Sequence, residues 1–127
     1  MIRLVAFDNN GTIFDDYDIT FGGVVKIYEY FNLDPPTKEQ HRNEATSDFM
    51  KFYHDHGFST CDPKEEKALA WIVGEIFWSY NRANIHKARF RPDVAKTVLE
   101  LKIMGISTAV VSAMEEFKLV DVIDRYG

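Results

Sequence analysis

Two short hydrophobic runs, one near each end of the chain, have the composition of buried strands. The first, Ile2 to Phe7, is almost continuously apolar and leads directly into the polar turn sequence Asp8-Asn9-Asn10-Gly11. The second, Ile106 to Val111, leads into Ser112. We predict a strand buried on both faces at the first run and another buried strand at the second, each followed by small polar residues.

Between these runs, hydrophobic positions recur at helical spacing. The apolar positions from residue 20 to 31 predict one helix, although the pair Gly22-Gly23 weakens its first turn. Thr37-Lys38-Glu39-Gln40 is a capping box that starts a second helix, which we expect to run toward Gly57. Asp62-Pro63 is a stronger helix start, and the apolar stripe downstream of it comprises Leu69, Ile72, Ile76, Phe77 and Tyr80.

The C-terminal third returns to an alternation of helix and strand. Arg91-Pro92-Asp93 opens a helix, and Gly105 stands where a left-handed residue ends one. A last helix is predicted from about Glu115 to Tyr126. Taken together, these elements predict an α/β core made of residues 1–16 and 88–127, with a helical cap inserted at 17–87.

The composition is that of a single globular domain with a small insertion. Of 127 residues, 46% are hydrophobic and 28% charged, and a net charge of -5 without a run of Lys and Arg argues against nucleic acid as a partner. No apolar run approaches the roughly 18 residues of a membrane span, and because the first predicted strand begins at Ile2 we expect no signal peptide. With Cys61 as the only cysteine, we expect a cytoplasmic protein without a membrane partner.

Asp8 and Ser112 each follow a predicted strand. In open parallel sheets, ligands bind beyond the carboxyl ends of the strands, where loops and free backbone amides meet in one crevice. Asp8 would stand at this edge with the amides of the Asn9 to Thr12 turn around it, and Gly11 would let that backbone approach an anion closely. The pattern predicts an anion site at this edge of the sheet.

The same residues carry a resemblance to a known family. The stretch FDNNGTIFD at 7–15 resembles the first motif of the haloacid dehalogenase (HAD) superfamily, an apolar strand followed by Asp-x-Asp-Gly-Thr. FRPDV at 90–94, LKIMGI at 101–106 and VVS at 110–112 resemble the segment leading to the second motif, where Ser or Thr ends a strand. The resemblance implies an α/β, Rossmann-type parallel-sheet core, with the helical region as the family's cap of the first type.

The family's chemistry, carried over to this chain, makes Asp8 a nucleophile that forms an aspartyl phosphate. Ser112, Thr12 and Gly11 would bind the phosphate. Mg²⁺ would be held by an Asp8 oxygen, the backbone carbonyl of Asn10 and an acid further downstream. The resemblance thus predicts a Mg²⁺-dependent phosphatase that acts on a small phosphorylated metabolite.

Asn10 departs from the pattern of the family's phosphatases. A second Asp normally stands at this general acid/base position, where it protonates the leaving oxygen and later activates water, and an amide can do neither. We therefore expect an impaired phosphatase. Two alternatives stay open: a dehalogenase-like hydrolase with an Asp nucleophile, since a halide leaves without a proton, and a non-catalytic phosphate-binding or interaction module.

The family's third and fourth motifs, a Lys or Arg and a later acidic pair, are not recognised in the chain. Lys118, Asp121 and Asp124 lack a preceding apolar strand and are not assigned those roles. Two parallel strands would also leave both sheet edges unpaired, whereas sheets usually have about 4 to 6 strands. We therefore expect a C-terminally truncated chain that self-associates through its sheet edges.

The remaining polar candidates are given structural roles. Asp15 and Asp16 lie just after the motif, and Arg91 is expected in a solvated flank. His54-Asp55-His56 suggests a metal pair only by composition, because residues two apart on a helix do not share a face. His41 is expected at the surface.

Overall fold

The computed structural model of the protein describes residues 1–112 and Val120. The elements, in chain order, are β1 (Leu4–Asp8), β2 (Phe14–Asp15), α1 (Tyr17–Tyr30), α2 (Lys38–Glu44), α3 (Phe49–Asp55), α4 (Pro63–Asn84), a 3-10 turn (Ile85–Lys87), β3 (Arg89–Phe90), α5 (Val94–Ile103) and β4 (Ser107–Val111). The chain divides into two compact units, one of Met1–Tyr17 with Ile85–Gly127 and one of Asp18–Asn84. We call them the α/β unit and the helical unit. Their assignment as a catalytic core and its inserted cap stays a prediction.

Both predicted strands are present, and they pair with each other. β1 and β4 run parallel, with Leu4 beside Ser107 and Asp8 beside Val111. A second, two-residue antiparallel ribbon joins β2 to β3, with Phe14 beside Phe90. The ribbon was not predicted, because two-residue strands carry no periodicity of their own.

The prediction that the first strand is buried on both faces is wrong for the described part of the chain. Val5 and Phe7 are half-buried, whereas Leu4 is 58% exposed and Ala6 is also exposed. Alternate residues of a strand point to opposite faces. On the Phe7 face, Val94 and Val98 of α5 line a cavity of about 290 Å³ together with Phe7. Among the described residues only this face is covered.

The helical unit begins with α1, which contains the glycine pair that weakened its prediction. A Cβ atom at Gly22 would lie 2.5 Å from Oη of Tyr80, and one at Gly23 would lie 2.9 Å from Cδ2 of Phe77. Both neighbours belong to α4. The glycines therefore permit close approach of α1 and α4, and this packing outweighs their low helix propensity of about 1 kcal/mol each relative to alanine.

Each of the three remaining helices of this unit begins at an N-cap residue. Oγ1 of Thr37 accepts a hydrogen bond from the amide of Gln40 at 3.1 Å, which confirms the capping box. Oδ1 of Asp62 accepts from the amides at 64 and 65, at 2.7 and 3.0 Å, and confirms the start of α4. The helix expected to run toward Gly57 is instead two helices, because Asp48 caps a new one through the amide of Lys51 at 3.3 Å.

A cluster of buried side chains holds the helical unit together: Val24, Ile27, Tyr28, Met50, Phe52, Tyr53, Phe58 and Val73. Burial raises the pKa of Tyr28 to about 12, and its hydroxyl donates to the carbonyl of His56 at 3.2 Å. His41, expected at the surface, is buried beside the rings of Phe21 and Phe52. Its burial lowers the pKa of its imidazole, because charging the ring there would cost solvation.

Helix α5 ends as its sequence predicts. Gly105 has a φ of 72°, its amide donates to the carbonyl of Lys102 at 3.0 Å, and the amide of Ile106 donates to the carbonyl of Leu101 at 2.9 Å. These two bonds form a Schellman motif. The helix predicted from Glu115 to Tyr126 lies outside the described residues except for Val120. Among the described residues, no helix is both long enough and apolar enough to cross a membrane.

Candidate functional site

The turn that follows β1 is built from its own backbone hydrogen bonds. The carbonyl of Asn9 accepts from the amides of Ile13 and Phe14, at 2.9 and 3.2 Å, which closes the turn. Gly11 lies inside it with a φ of 75°, a left-handed conformation that favours glycine. The Asp8 side chain stands exposed at the start of the turn, and its Oδ1 accepts from the amide of Asn9 at 2.9 Å.

Asp8 and Ser112 are brought to the same edge of the sheet. Asp8 is paired in register with Val111, and Ser112 is the next residue along the chain. Because β1 and β4 are parallel, both residues lie at carboxyl ends of strands, which is the location the sequence predicts for an anion site. Thr12 and Gly11 are exposed in the adjoining turn.

Asp16 is a residue of this site that the sequence analysis missed. Its side chain is only 5% exposed, and both of its oxygens bind the turn. Oδ2 accepts from Nδ2 of Asn10 at 2.5 Å, and Oδ1 accepts from the amide of Gly11 at 3.1 Å. The available signal was weak: an acid six residues after a turn asparagine, next to a helix start.

Arg91 also contacts the turn, although it was expected in a solvated flank. Its Nε donates to the carbonyl of Gly11 at 2.8 Å, and its backbone amide donates to the carbonyl of Ile13 at 3.0 Å. The ring centroids of Phe14 and Phe90 are 4.5 Å apart, so the β2–β3 ribbon fixes Arg91 next to the turn. The turn is therefore held by an acidic side chain and a basic one, each through backbone atoms of Gly11.

Solved structures match the fold of the chain, whereas no family model and no curated protein matches its sequence. A hydrolase of the haloacid dehalogenase-like family from Streptococcus pneumoniae has a TM-score of 0.79 and 14% identity, over 98% of this chain and 55% of that one. A predicted phosphatase from Clostridium acetobutylicum has a TM-score of 0.77 and 14% identity, over 99% and 56%. A predicted phosphoglycolate phosphatase from Haemophilus somnus has a TM-score of 0.76 and 17% identity, over 99% and 58%. The chain has a HAD-like fold.

The HAD-like fold confirms the predicted fold class, an α/β core with a parallel sheet. The chain spans about 55 to 58% of the length of these solved HAD-like structures. At 14 to 17% identity, the similarity establishes the fold and leaves the substrate and the roles of individual residues to be argued from the site.

The oxygen donors of the turn fit part of the coordination that Mg²⁺ requires. The Asp8 carboxylate and the backbone carbonyl of Asn10 are hard oxygen ligands of the kind this ion prefers. Within residues 1–112 and 120, no group of three or more His, Cys, Asp or Glu side chains could hold a metal ion. Mg²⁺ usually keeps several waters and binds through one or two carboxylates together with substrate phosphate, so two protein ligands suit it as a partial set.

Asn9 faces the inside of the α/β unit. Its side chain is 1% exposed, and its Nδ2 has no hydrogen-bond partner among the described residues. It lines the apolar cavity together with Phe7, Ile13, Phe14 and Val110. An unpaired buried amide costs about 1 to 3 kcal/mol, so the Asn9 side chain destabilises the turn to which it belongs.

Proposed function

We propose that the protein is a Mg²⁺-dependent phosphatase of small phosphorylated metabolites in which Asp8 is the nucleophile. The hydrolases and phosphatases among its structural relatives support a hydrolase at the level of the superfamily. The observation that carries the proposal is the register of β1 and β4, which pairs Asp8 with Val111 and so places Ser112 at the same sheet edge. A nucleophile and a hydroxyl donor then share one crevice with the Gly11 turn.

In the first step, an Asp8 oxygen forms a bond to phosphorus while the bond between phosphorus and the leaving oxygen breaks. In the second step, a water oxygen attacks phosphorus, the bond to Asp8 breaks, and inorganic phosphate leaves. The hydroxyls of Ser112 and Thr12 would donate hydrogen bonds to phosphoryl oxygens, whereas the amide of Gly11 already donates to Oδ1 of Asp16. Mg²⁺ held by Asp8 and the Asn10 carbonyl would offset repulsion between the anionic nucleophile and the phosphate.

Asn10 limits the leaving groups that this site can release. Its amide cannot give a proton to an alkoxide, whereas an aryl oxide leaves more readily without one. Turnover is therefore expected with aryl phosphates and slow with alkyl phosphates. The same property supports a second candidate, a dehalogenase-like reaction in which Asp8 attacks carbon, a halide leaves, and water hydrolyses the resulting ester.

The test compares the full-length protein with Asp8→Asn and with Asp15→Asn as the matched control. Asp15 is an exposed acid in the neighbouring ribbon, so its substitution changes the local charge by the same amount. Phosphate release from an aryl and an alkyl phosphate and halide release from a 2-haloacid are measured with Mg²⁺ and with a chelator. Asp8→Asn should lower aryl phosphate turnover by on the order of 10⁴-fold or more.

The outcomes separate the candidates. Aryl phosphate turnover that needs Mg²⁺ and Asp8 but tolerates Asp15→Asn supports the phosphatase, and a phosphoryl group found on the peptide containing Asp8 identifies the nucleophile. Halide release alone favours the dehalogenase-like reaction. Saturable binding of phosphate without turnover of any substrate favours a binding module. Turnover that survives Asp8→Asn removes Asp8 from the mechanism.

A further inference from the structure

The pairing of Asn10 with Asp16 assigns a direction to the Asn10 side chain. The oxygen and nitrogen of an amide are normally distinguished only by their hydrogen-bond partners. Here the partner is Oδ2 of Asp16, 2.5 Å from Nδ2 of Asn10, and a carboxylate oxygen is an acceptor. If Oδ1 of Asn10 faced this oxygen instead, two acceptors would repel each other. Nδ2 therefore points to Asp16, and Oδ1 lies on the other branch of the side chain.

Asp16 is itself held in place by the turn it binds. It is almost fully buried, and a carboxylate is costly to bury unless it is hydrogen-bonded. Its second oxygen accepts from the amide of Gly11, a residue with a positive φ. Because each oxygen engages a different residue of the turn, the carboxylate cannot rotate without breaking one of these bonds.

We propose that Asp16 is a positioning residue that fixes the Asn10 amide with its Oδ1 presented at the Asp8 edge as a hydrogen-bond acceptor. The proposal rests on the proposed function of Asp8. Residues 10 and 16 form one donor–acceptor unit. The Asn10 amide occupies the position of the family's acid and donates to the Asp16 carboxylate. In hydrolysis of the aspartyl phosphate, Oδ1 of Asn10 accepts a hydrogen bond from the attacking water and orients it, while the proton passes to solvent.

The Asn10–Asp16 pair predicts that placing the family's acid at position 10, without a second change, lowers the stability of the protein. Asn10→Asp removes the donor and places two carboxylates in contact, where like charges repel each other. The exchange Asn10→Asp with Asp16→Asn keeps one donor and one acceptor with the same shapes. We therefore expect Asn10→Asp to lower the melting temperature at pH 8, and the exchange variant to recover most of that loss. This is a strong coupling between neighbours, which a double-mutant cycle measures.

The first measurement does not depend on activity. The side-chain amide signals of Asn10 are identified in a ¹⁵N–¹H spectrum by their absence in Asn10→Asp. In the parent protein one of these protons should be shifted downfield and exchange slowly, as expected for a hydrogen bond to a carboxylate. Asp16→Ala should abolish both properties. Asp15→Ala, which removes the neighbouring exposed acid, should preserve them.

The second measurement is steady-state turnover of an aryl phosphate by the full-length protein. Asp16→Ala should lower kcat by on the order of 10²-fold, the usual effect of a misplaced catalytic group, and change KM by less than about 2-fold. Asp16→Asn keeps one acceptor oxygen for Asn10 but turns its amide nitrogen toward the Gly11 amide, so it should restore only part of kcat. A residue with only a structural role would change the amount of folded protein, whereas the split between kcat and KM tests positioning.

Several outcomes would overturn the proposal. One is an Asn10 amide signal that Asp16→Ala leaves unchanged, and another is a melting temperature of Asn10→Asp alone that matches or exceeds that of the exchange variant. If the amide signals and melting temperatures couple as expected while no variant turns over any phosphate ester, the phosphatase function falls and the pairing that positions Asn10 stands.

Discussion

The helical unit and the α/β unit bury their hydrophobic side chains very differently. In the helical unit, Val24, Ile27 and Val73 are at most 1% exposed, and the buried cluster joins α1, α3 and α4. In the described part of the α/β unit, Leu99 and Ile103 of α5 are 58% and 78% exposed, although these side chains are as apolar as those of the helical unit's cluster. Similar hydrophobic content therefore produces a closed core in one unit and open apolar surfaces in the other.

This difference shows that apolar residues at helical spacing predict a helix with a face that can be buried. They do not predict which part of the molecule covers that face. α5, like α1, carries apolar residues at helical spacing, and its Val94 and Val98 side chains line the cavity over the sheet. On its other side Leu99 and Ile103 are exposed, as is Leu4 on the opposite face of β1. Substitutions of buried and of exposed apolar residues in the two units should therefore have different effects on stability.

The largest expected effect comes from shortening an isoleucine in each unit. Ile27→Ala removes a fully buried side chain and should lower the free energy of unfolding by about 2 to 5 kcal/mol. Ile103→Ala makes the same chemical change at an exposed position and should alter it by less than about 0.5 kcal/mol. Urea unfolding of both variants measures the difference. Equal losses of unfolding free energy would mean that Ile103 is covered in solution, and that the two units do not differ in how they bury apolar side chains.

A smaller effect is expected from adding a methyl group within the helical unit. Gly22→Ala places a Cβ 2.5 Å from the Tyr80 hydroxyl and should destabilise the protein by about 1 to 3 kcal/mol, because the ring must move. Gly74→Ala, in α4 with nothing within 4 Å, should stabilise it by up to about 1 kcal/mol through helix propensity. Thermal melting distinguishes the two. A stabilising Gly22→Ala would show that α1 and α4 are not closely packed there.

For the α/β unit, the main effect should be on association. Leu4→Lys introduces a charge at the exposed face of β1, and charged side chains on open strands oppose edge-to-edge pairing. We expect sedimentation velocity to show the parent chain self-associating and the variant shifted toward monomer, with stability changed by less than about 0.5 kcal/mol. Tyr30→Lys, an exposed site in the helical unit, should leave association unchanged. A monomeric parent chain would contradict the expectation.

The smallest effect concerns pH and is confined to the helical unit. Hydrogen bonds to Glu66, and then to the carbonyl of Phe58, raise the pKa of His54 above its ordinary value. The stabilisation is therefore complete below the unfolded pKa of about 6.5 and is lost as pH rises through the folded pKa. For His41 the sign is opposite, because burial lowers its pKa and the loss comes as pH falls.

These signs predict that His54→Gln removes the part of the stability that declines between pH 6 and pH 8. The remaining profile should show a more pronounced loss toward acid pH, which reflects His41. Melting temperatures at these two pH values and at more acid pH provide the measurement, with His86→Gln as a control at a residue of the 3-10 turn. A His54→Gln variant with the same pH profile as the parent protein would show that the hydrogen bonds of His54 do not cause this pH dependence of stability.

How well the sequence predicted each feature depended on how local its cause is. The caps at Thr37 and Asp62 and the turn at Gly105 were correctly predicted, because each is formed by residues within six positions of one another. Asp48 interrupted a predicted helix because its capping bond competes with helix continuation over only a few residues.

Predictions that depended on distant residues were less complete. The positions of Asp8 and Ser112 followed from parallel strand ends, a rule of topology, and the structure places both where that rule expects them. Asp16 and Arg91 were not recognised, because their partners are reached only after the chain turns at Gly11 or returns from residue 84. The buried His41 was missed for the same reason, since its neighbours come from two other segments.

The β2–β3 ribbon has a consequence for how this protein can vary. Its two strands bracket the whole helical unit, so the segment inserted between Asp15 and Arg89 departs from and returns to neighbouring residues. Once such a junction is closed, doubling the length of the insert costs only about 0.6 kcal/mol of loop entropy. Junctions of this kind are where natural chains accept and exchange whole modules. The ribbon thus allows residues 18–84 to be replaced by an insert of different size, while Arg91 and Asp16 keep the turn beside Asp8 unchanged.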